Sequence, residues 1–395
     1  MKKLWLGVTL LLSPVVQADL LRIGAIGDLN GTECQALYPS NSITSFETMI
    51  SKYSPDHVIF PGDVVHGECL SYSGNEPYRS VVARMWAEFD RRFFSKERAS
   101  RTLAIAPGNH DAPYIAPGTR GRETFEVENA AFKTFWLAKE KDLGLDRVFV
   151  PGHEDNYPFF WAYLYEKVLF VVLHSTKSSG SISDATRQKA WLRALLKTPE
   201  AQAAELRLAY GHVPPYPVLD PSVGSKYSAF LKSEQSGQSN ALVDILIDGN
   251  VNLLVVGHSH APYPGELVRQ KDQKRLKILS LPCSHSPRAL YSKTARSDRG
   301  FAIIQRDETG KMLISIKNYS TGKEIPYDYY PASIDVKSSA VRYQRIARDG
   351  YKSLAITQNA TVPYSHARAL VMKPDYALVR GKVSWFGLRA MRRRE

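Results

Sequence analysis

Five short apolar runs in this 395-residue chain, at 20–26, 57–60, 102–106, 206–210 and 253–256, each lead into a glycine followed directly by Asp, Asn or His. Runs of this length, rich in Val, Ile, Leu and Ala and closed by Gly or Pro, read as buried strands. The spacing between and after them predicts helices at 42–53, 81–94, 123–139 and 184–196. The first places Ile43, Phe46, Met49 and Ile50 on one face, and Ser183 caps the last. Further strands are expected at 168–173, 277–281, 301–305 and 312–317. Strands alternating with helices argue for an α/β domain. Such domains hold ligands at the carboxyl ends of their strands. Asp28, Asp63, Asn109, His212, His258 and His260 all fall there.

In chain order the motifs are Gly27-Asp28-Leu29-Asn30, Gly62-Asp63-Val64-Val65-His66-Gly67, Gly108-Asn109-His110-Asp111, Gly211-His212 and Gly257-His258-Ser259-His260. Each alone is an ordinary turn. Together they combine hard carboxylate oxygens, which neutralise adjacent cations, with imidazoles, which favour Mn, Fe or Zn over Ca or Mg. Two neighbouring cations need one carboxylate able to bridge them and open positions for water and a phosphoryl oxygen.

The ordered set resembles the calcineurin-like metallophosphoesterase superfamily over roughly residues 20–318. The resemblance implies a four-layer αββα sandwich, two mixed β-sheets flanked by helices. It also implies a hydrolase for phosphate mono- or diesters, in which a hydroxide held by two divalent or mixed-valence ions (Mn, Fe or Zn) attacks phosphorus. Carried over by position, one metal would bind Asp28, Asp63 and His260, and the second Asp63, Asn109, His212 and His258. His110 would be the catalytic histidine, stabilising the transition state or protonating the leaving oxygen, with Asp111 orienting its ring. One position departs from the family pattern, because Asp28-Leu29-Asn30 stands where Asp-x-His is usual. Asn30 can ligate through its side-chain oxygen, and some bacterial members resemble this chain in carrying Asp-Leu-Asn; His66 is the alternative ligand.

Loops beside the motifs carry Arg120, Arg122 and Arg288, expected contacts for a phosphate group, which guanidinium binds in bidentate fashion. Cys34 and Cys69 each lie six residues past a motif aspartate, on loops leaving adjacent strand ends. This predicts a disulfide between them and leaves Cys283 as the free thiol.

Met1-Lys2-Lys3, an apolar run over 4–16 and Val16-Gln17-Ala18 read as a secretory signal peptide, with cleavage near Ala18 and export to a periplasm or beyond. The expected organisation is a signal peptide at 1–18, the catalytic domain at 19–318 and a basic C-terminal extension at 319–395. The formal net charge of +13 is concentrated in that extension, since Lys2 and Lys3 are removed with the leader and residues 337–395 contain thirteen Lys or Arg against three acids. The body is nearly neutral, so attraction to an anionic membrane or another polyanion belongs to the tail. Trp385, Phe386 and Arg392-Arg393-Arg394 there fit an interfacial anchor. No motif for specific nucleic-acid recognition is present, and the sequence does not specify an oligomeric state. The competing reading is a catalytically weak or inactive relative that binds a polyanion or membrane surface. Retention of His110 and of every family ligand but one favours the enzyme.

Overall fold

The computed structural model describes residues 21–346 apart from 32, 71, 98–99, 116–120, 177–184, 217, 219–236, 291–296, 307–310 and 335–339. The expected signal peptide, Arg120 and the tail beyond 346 lie outside the described residues.

The chain runs β1 (Arg22–Ala25), α1 (Ser40–Tyr53), β2 (His57–Pro61), α2 (Tyr78–Phe89), β3 (Thr102–Ala106), α3 (Arg122–Leu143), β4 (Asp146–Arg147), β5 (Trp161–Tyr165), β6 (Val168–Val172), α4 (Ala185–Leu195), α5 (Pro199–Ala203) and β7 (Leu206–Gly211). It continues through α6 (Gly237–Asp248), β8 (Leu253–Val256), β9 (Tyr263–Arg269), β10 (Arg275–Ser280), β11 (Gly300–Arg306), β12 (Met312–Asn318), β13 (Ser333–Ile334) and β14 (Val341–Arg345). The strands form two mixed sheets, in the orders β12-β11-β1-β2-β3 and β13-β14-β9-β10-β8-β7-β6-β5-β4. Every residue of β2, β6, β7 and β8 is buried. Parallel strands covered on both faces require such unbroken apolar runs. In the outer strand β12 only Met312, Ile314 and Ile316 turn inward, the alternation of a half-covered strand.

Helices α1, α2 and α3 belong to the half of the chain that builds the smaller sheet. Phe46 and Met49 of α1 are buried, and Trp86 of α2 stacks on Phe135 of α3 at 4.7 Å. Between the sheets His57 of β2 meets Tyr163 of β5, with Nε2 2.8 Å from the hydroxyl, and Tyr163 stacks on Phe170 of β6 at 4.9 Å. Burial pushes the His57 imidazole down to about 3, so it is neutral in the fold.

The expected helix at 81–94 begins earlier, at Tyr78, and gives way after Phe89 to one π-helical turn over Asp90–Phe94. Strand β9 was not anticipated; it contains Pro264 and Gly265, residues that weaken a strand pattern. Strand pairing continues past residue 318. Basic β14 pairs antiparallel with β9, and its buried Tyr343 packs edge-on against Tyr216 and Tyr263. Cys34 and Cys69 form the expected disulfide, with Cα atoms 5.8 Å apart, and Cys283 is free and buried.

Candidate metal centre

The motif residues are brought together where the carboxyl ends of parallel strands from both sheets meet. Asp28, Asp63 and Asn109 follow β1, β2 and β3, while His212 and His258 follow β7 and β8. The turns are tight. Gly62 has φ +80°, and a Cβ on it would stand 2.6 Å from the Cα of Gly108; a Cβ on Gly108 would stand 2.1 Å from the Asp63 nitrogen. Only glycine permits both. Asp28 (φ 49°), Asp63 (53°), His258 (62°) and His260 (52°) hold left-handed backbone despite carrying side chains. Each such residue costs on the order of 1–3 kcal/mol, and strain of this kind collects at functional sites.

Asp28, Asp63 and His212 form a buried floor, and Asn109, His110 and His258 are only half-buried, which leaves the cluster open on their side. Ligating atoms of Asp63, His212 and His258 all lie within 4.8 Å of one another. Asp63 Oδ2 is 3.0 Å from His212 Nε2 and 3.4 Å from Asn30 Nδ2, and its Oδ1 accepts the His110 backbone N–H at 3.0 Å. Asp28 Oδ1 is 3.2 Å from His260 Nε2, and the Asp28 carboxylate also accepts the His258 backbone N–H. His258 Nδ1 stands 2.9 Å from Asn109 Oδ1 and 3.2 Å from His212 Nε2.

Backbone carbonyls set the tautomers. His212 Nδ1–H donates to the Pro61 carbonyl at 2.8 Å, and His260 Nδ1–H donates to Ser286 at 2.8 Å. Both rings therefore present Nε2 to a carboxylate. Histidines that ligate metals are oriented in this way. Burial raises the Asp63 carboxyl, yet His212 and His110 outweigh it and hold the group well below the usual carboxylate range. Burial lowers His212, yet Asp63 and Asp28 carry it up to about 9. His258 is pushed down to about 3 by burial and by its neighbour His212. Among the described residues, the charges that lower the buried Asp28 and Asp63 carboxyls are imidazoles, an arrangement in which a divalent cation can replace protons.

The two candidates for the missing family ligand differ. Asn30 is buried, and its Oδ1 has no hydrogen-bond partner among the described residues. His66 Nδ1–H donates to the Gly31 carbonyl at 2.9 Å, and its ring meets His110 edge-on at 4.5 Å. An unpartnered buried oxygen beside the bridging candidate Asp63 fits a cation, so the donor set suits Asn30.

His110 Nδ1–H donates to the Gly67 carbonyl at 3.2 Å, and Nε2 lies 3.9 Å from Asp63 Oδ2. Burial lowers this imidazole, but Asp63 and Glu68 together hold it above its ordinary value. Asp111 does not orient the ring. Its carboxylate turns into the loop, where Oδ1 accepts the Val65 N–H at 2.8 Å and Oδ2 the Gly108 N–H at 3.0 Å. The turn after β3 sends adjacent side chains in different directions, so Asp111 braces backbone.

Arg288 is at the centre, with Nη1 donating to the His258 carbonyl at 3.3 Å. Arg122 is instead engaged in an exposed ion pair with Glu126 one turn along α3, at 2.7 Å. Two neighbours escaped the sequence reading. Glu68 Oε2 accepts from Asn109 Nδ2 at 3.2 Å, and Cys283 Sγ lies 3.4 Å from the Asp28 carbonyl.

The family model for calcineurin-like phosphoesterases matches residues 21–262, a span that contains every candidate ligand from Asp28 to His260. No curated protein matches the chain in sequence. Among solved structures, the purple acid phosphatase PPD1 isolated from yellow lupin (Lupinus luteus) seeds is similar at 15% identity with a TM-score of 0.54, over 78% of this chain and 53% of its own. The chain thus spans about half the length of that phosphatase. GAP50, the anchor in the inner membrane complex of Plasmodium, is 15% identical over 90% of this chain and 95% of its own, with a TM-score of 0.45. A dimetal phosphatase from Danio rerio is 13% identical over 78% of this chain and 99% of its own, with a TM-score of 0.46. The lupin enzyme corroborates the fold, and the family match covers well over half of the chain and the whole motif set. The chain belongs to the calcineurin-like phosphoesterase family.

Proposed function

We propose that this protein is an exported phosphoesterase whose centre takes two transition-metal ions, with Asp63 between them. Asp28, Asn30, Asp63 and His260 would hold one, and Asp63, Asn109, His212 and His258 the other. The observation that carries the reading is the Asp63 carboxylate, whose Oδ2 faces His212 on one side and Asn30 on the other. Bound there, the two ions would supply a nucleophile from water at neutral pH and polarise the phosphoryl group.

The chain's own side chains do the rest. The Gly67 carbonyl fixes the His110 proton on Nδ1, so Nε2 faces the centre. Once protonated at Nε2, His110 gives that proton to the departing ester oxygen. Arg288, whose Nη1 donates to the His258 carbonyl, would bind a phosphoryl oxygen. The leader-like segment at 1–18 supports export, and an N-terminus at Asp19 in the mature protein would verify it. The basic tail is the proposed grip on anionic membrane or another polyanion.

The test is hydrolysis of p-nitrophenyl phosphate and bis(p-nitrophenyl) phosphate by protein stripped with chelator and reloaded with Mn, Fe or Zn. Turnover on either ester that vanishes on stripping and returns on loading supports the proposal. A folded, metal-loaded protein inert towards both esters would favour the binding-module reading instead.

A further inference from the structure

One carboxylate beside the centre has no place in the family pattern. Glu68 follows His66-Gly67 on the loop after β2 with a left-handed φ of 62°, uncommon for a residue with a Cβ. Two contacts impose that conformation. Its backbone N–H donates to Glu128 Oε1 on α3 at 2.6 Å, and the buried Glu128 carboxylate also receives the Tyr78 hydroxyl. Cys69, the next residue, is tied to Cys34 by the disulfide.

So held, Glu68 Oε2 accepts the Asn109 Nδ2–H at 3.2 Å. Donation to the carboxylate opposes a flip of the amide, and Asn109 Oδ1 lies 2.9 Å from His258 Nδ1. The same Glu68 oxygen stands 3.7 Å from His110 Nδ1, alongside the Gly67 carbonyl. One oxygen thus faces two consecutive residues of the third motif, while the Asp111 carboxylate accepts the Val65 and Gly108 N–H groups.

We propose that Glu68 is the positioning residue of this centre, keeping Asn109 Oδ1 turned to the metal pocket and His110 Nε2 turned to the substrate. The role towards His110 rests on the phosphoesterase reading, whereas the role towards Asn109 requires only that the pocket take a metal. Groups that orient ligands from behind typically govern metal affinity by about 10–100-fold.

The experiment is a zinc titration of chelator-stripped protein against a competing indicator, for wild type, Glu68→Ala and Glu68→Gln, with melting curves recorded alongside. Glu68→Ala should bind zinc roughly 10–100-fold more weakly with an unchanged fold. Glu68→Gln, which keeps an acceptor for Asn109, should recover most of that loss. Wild-type zinc affinity in folded Glu68→Ala would overturn the proposal. Should Glu68→Ala fail to fold, Glu68→Gln carries the test through kinetics. Its kcat should fall more on an alkyl phosphate than on p-nitrophenyl phosphate, with KM unchanged, and combining it with His110→Ala should cost nothing beyond His110→Ala alone. Additive losses in the double variant would overturn it. If zinc affinity depends on Glu68 but the wild type hydrolyses no ester, the phosphoesterase reading fails and the hold on Asn109 stands.

Discussion

Asn30 and His66 are the two residues able to fill the position where the family usually has histidine, and their surroundings separate them. Asn30 keeps a buried oxygen without a partner among the described residues, while His66 has Nδ1 engaged with Gly31 and its ring against His110. Asn30→Ala should therefore weaken metal binding by at least about tenfold, and His66→Ala should leave the metal content of the purified protein unchanged. Elemental analysis of the two variants decides between them. His110→Ala should retain its metals and lose about a hundredfold or more in turnover, with a smaller loss on esters whose leaving groups need no proton. Equal losses on good and poor leaving groups would exclude the acid role. Asp28, Asn109 and His110 were legible because chemistry and spacing coincide in short motifs. Glu68 was not, since its role depends on a left-handed turn and on a carboxylate 60 residues away. Cys283 reaches the Asp28 carbonyl across 255 residues, a proximity no local pattern encodes. Asp111 was assigned to its neighbour because sequence adjacency does not reveal which way a side chain turns in a tight loop.

The strands that deliver ligands were legible as elements because each is a dense apolar run closed by glycine. Those that complete the larger sheet carry weaker signals. Strand β14, Val-Arg-Tyr-Gln-Arg, looks like part of a solvated basic tail until β9 provides an edge for it. A chain ending at 332 would remove Tyr343 from its place between Tyr216 and Tyr263 and bare the β9 edge. Losing one buried aromatic alone costs about 3–5 kcal/mol, and an unpaired edge promotes aggregation. A chain ending at 346 should instead melt like the full-length protein and hydrolyse small esters equally well. That shorter protein should also lose salt-sensitive binding to vesicles containing anionic lipid, because Lys352 and the arginines that follow it are gone. Undiminished vesicle binding would contradict the role proposed for the tail.

At the scale of the molecule, the two sheets must hold a fixed spacing for one metal centre to draw ligands from both. His57 and Tyr163 bridge them in the interior. The folded His57 is held down to about 3, while an unfolded histidine titrates near 6.5, so the unfolded chain binds the extra proton between those values. Its contribution to stability is complete above about pH 6.5 and is lost as pH falls towards 3, with a slope of up to about 1.4 kcal/mol per pH unit. Urea midpoints of the wild type should accordingly drop more between pH 7 and pH 4.5 than those of His57→Gln; parallel curves would refute this. The strand–motif recurrence shows an α/β domain and the family resemblance implies the sandwich, whereas the bridge was not foreseeable, because neither residue's own sequence context shows the other sheet. In the proposed centre Asp63 would stand between two metal ions at the meeting edge of the sheets. Anomalous diffraction at the metal absorption edge, from crystals of manganese- or zinc-loaded protein, tests it directly. The account predicts two peaks flanking the Asp63 carboxylate, one contacted by Asp28, Asn30 and His260 and the other by Asn109, His212 and His258. A single peak, or metal bound away from Asp63, would contradict it.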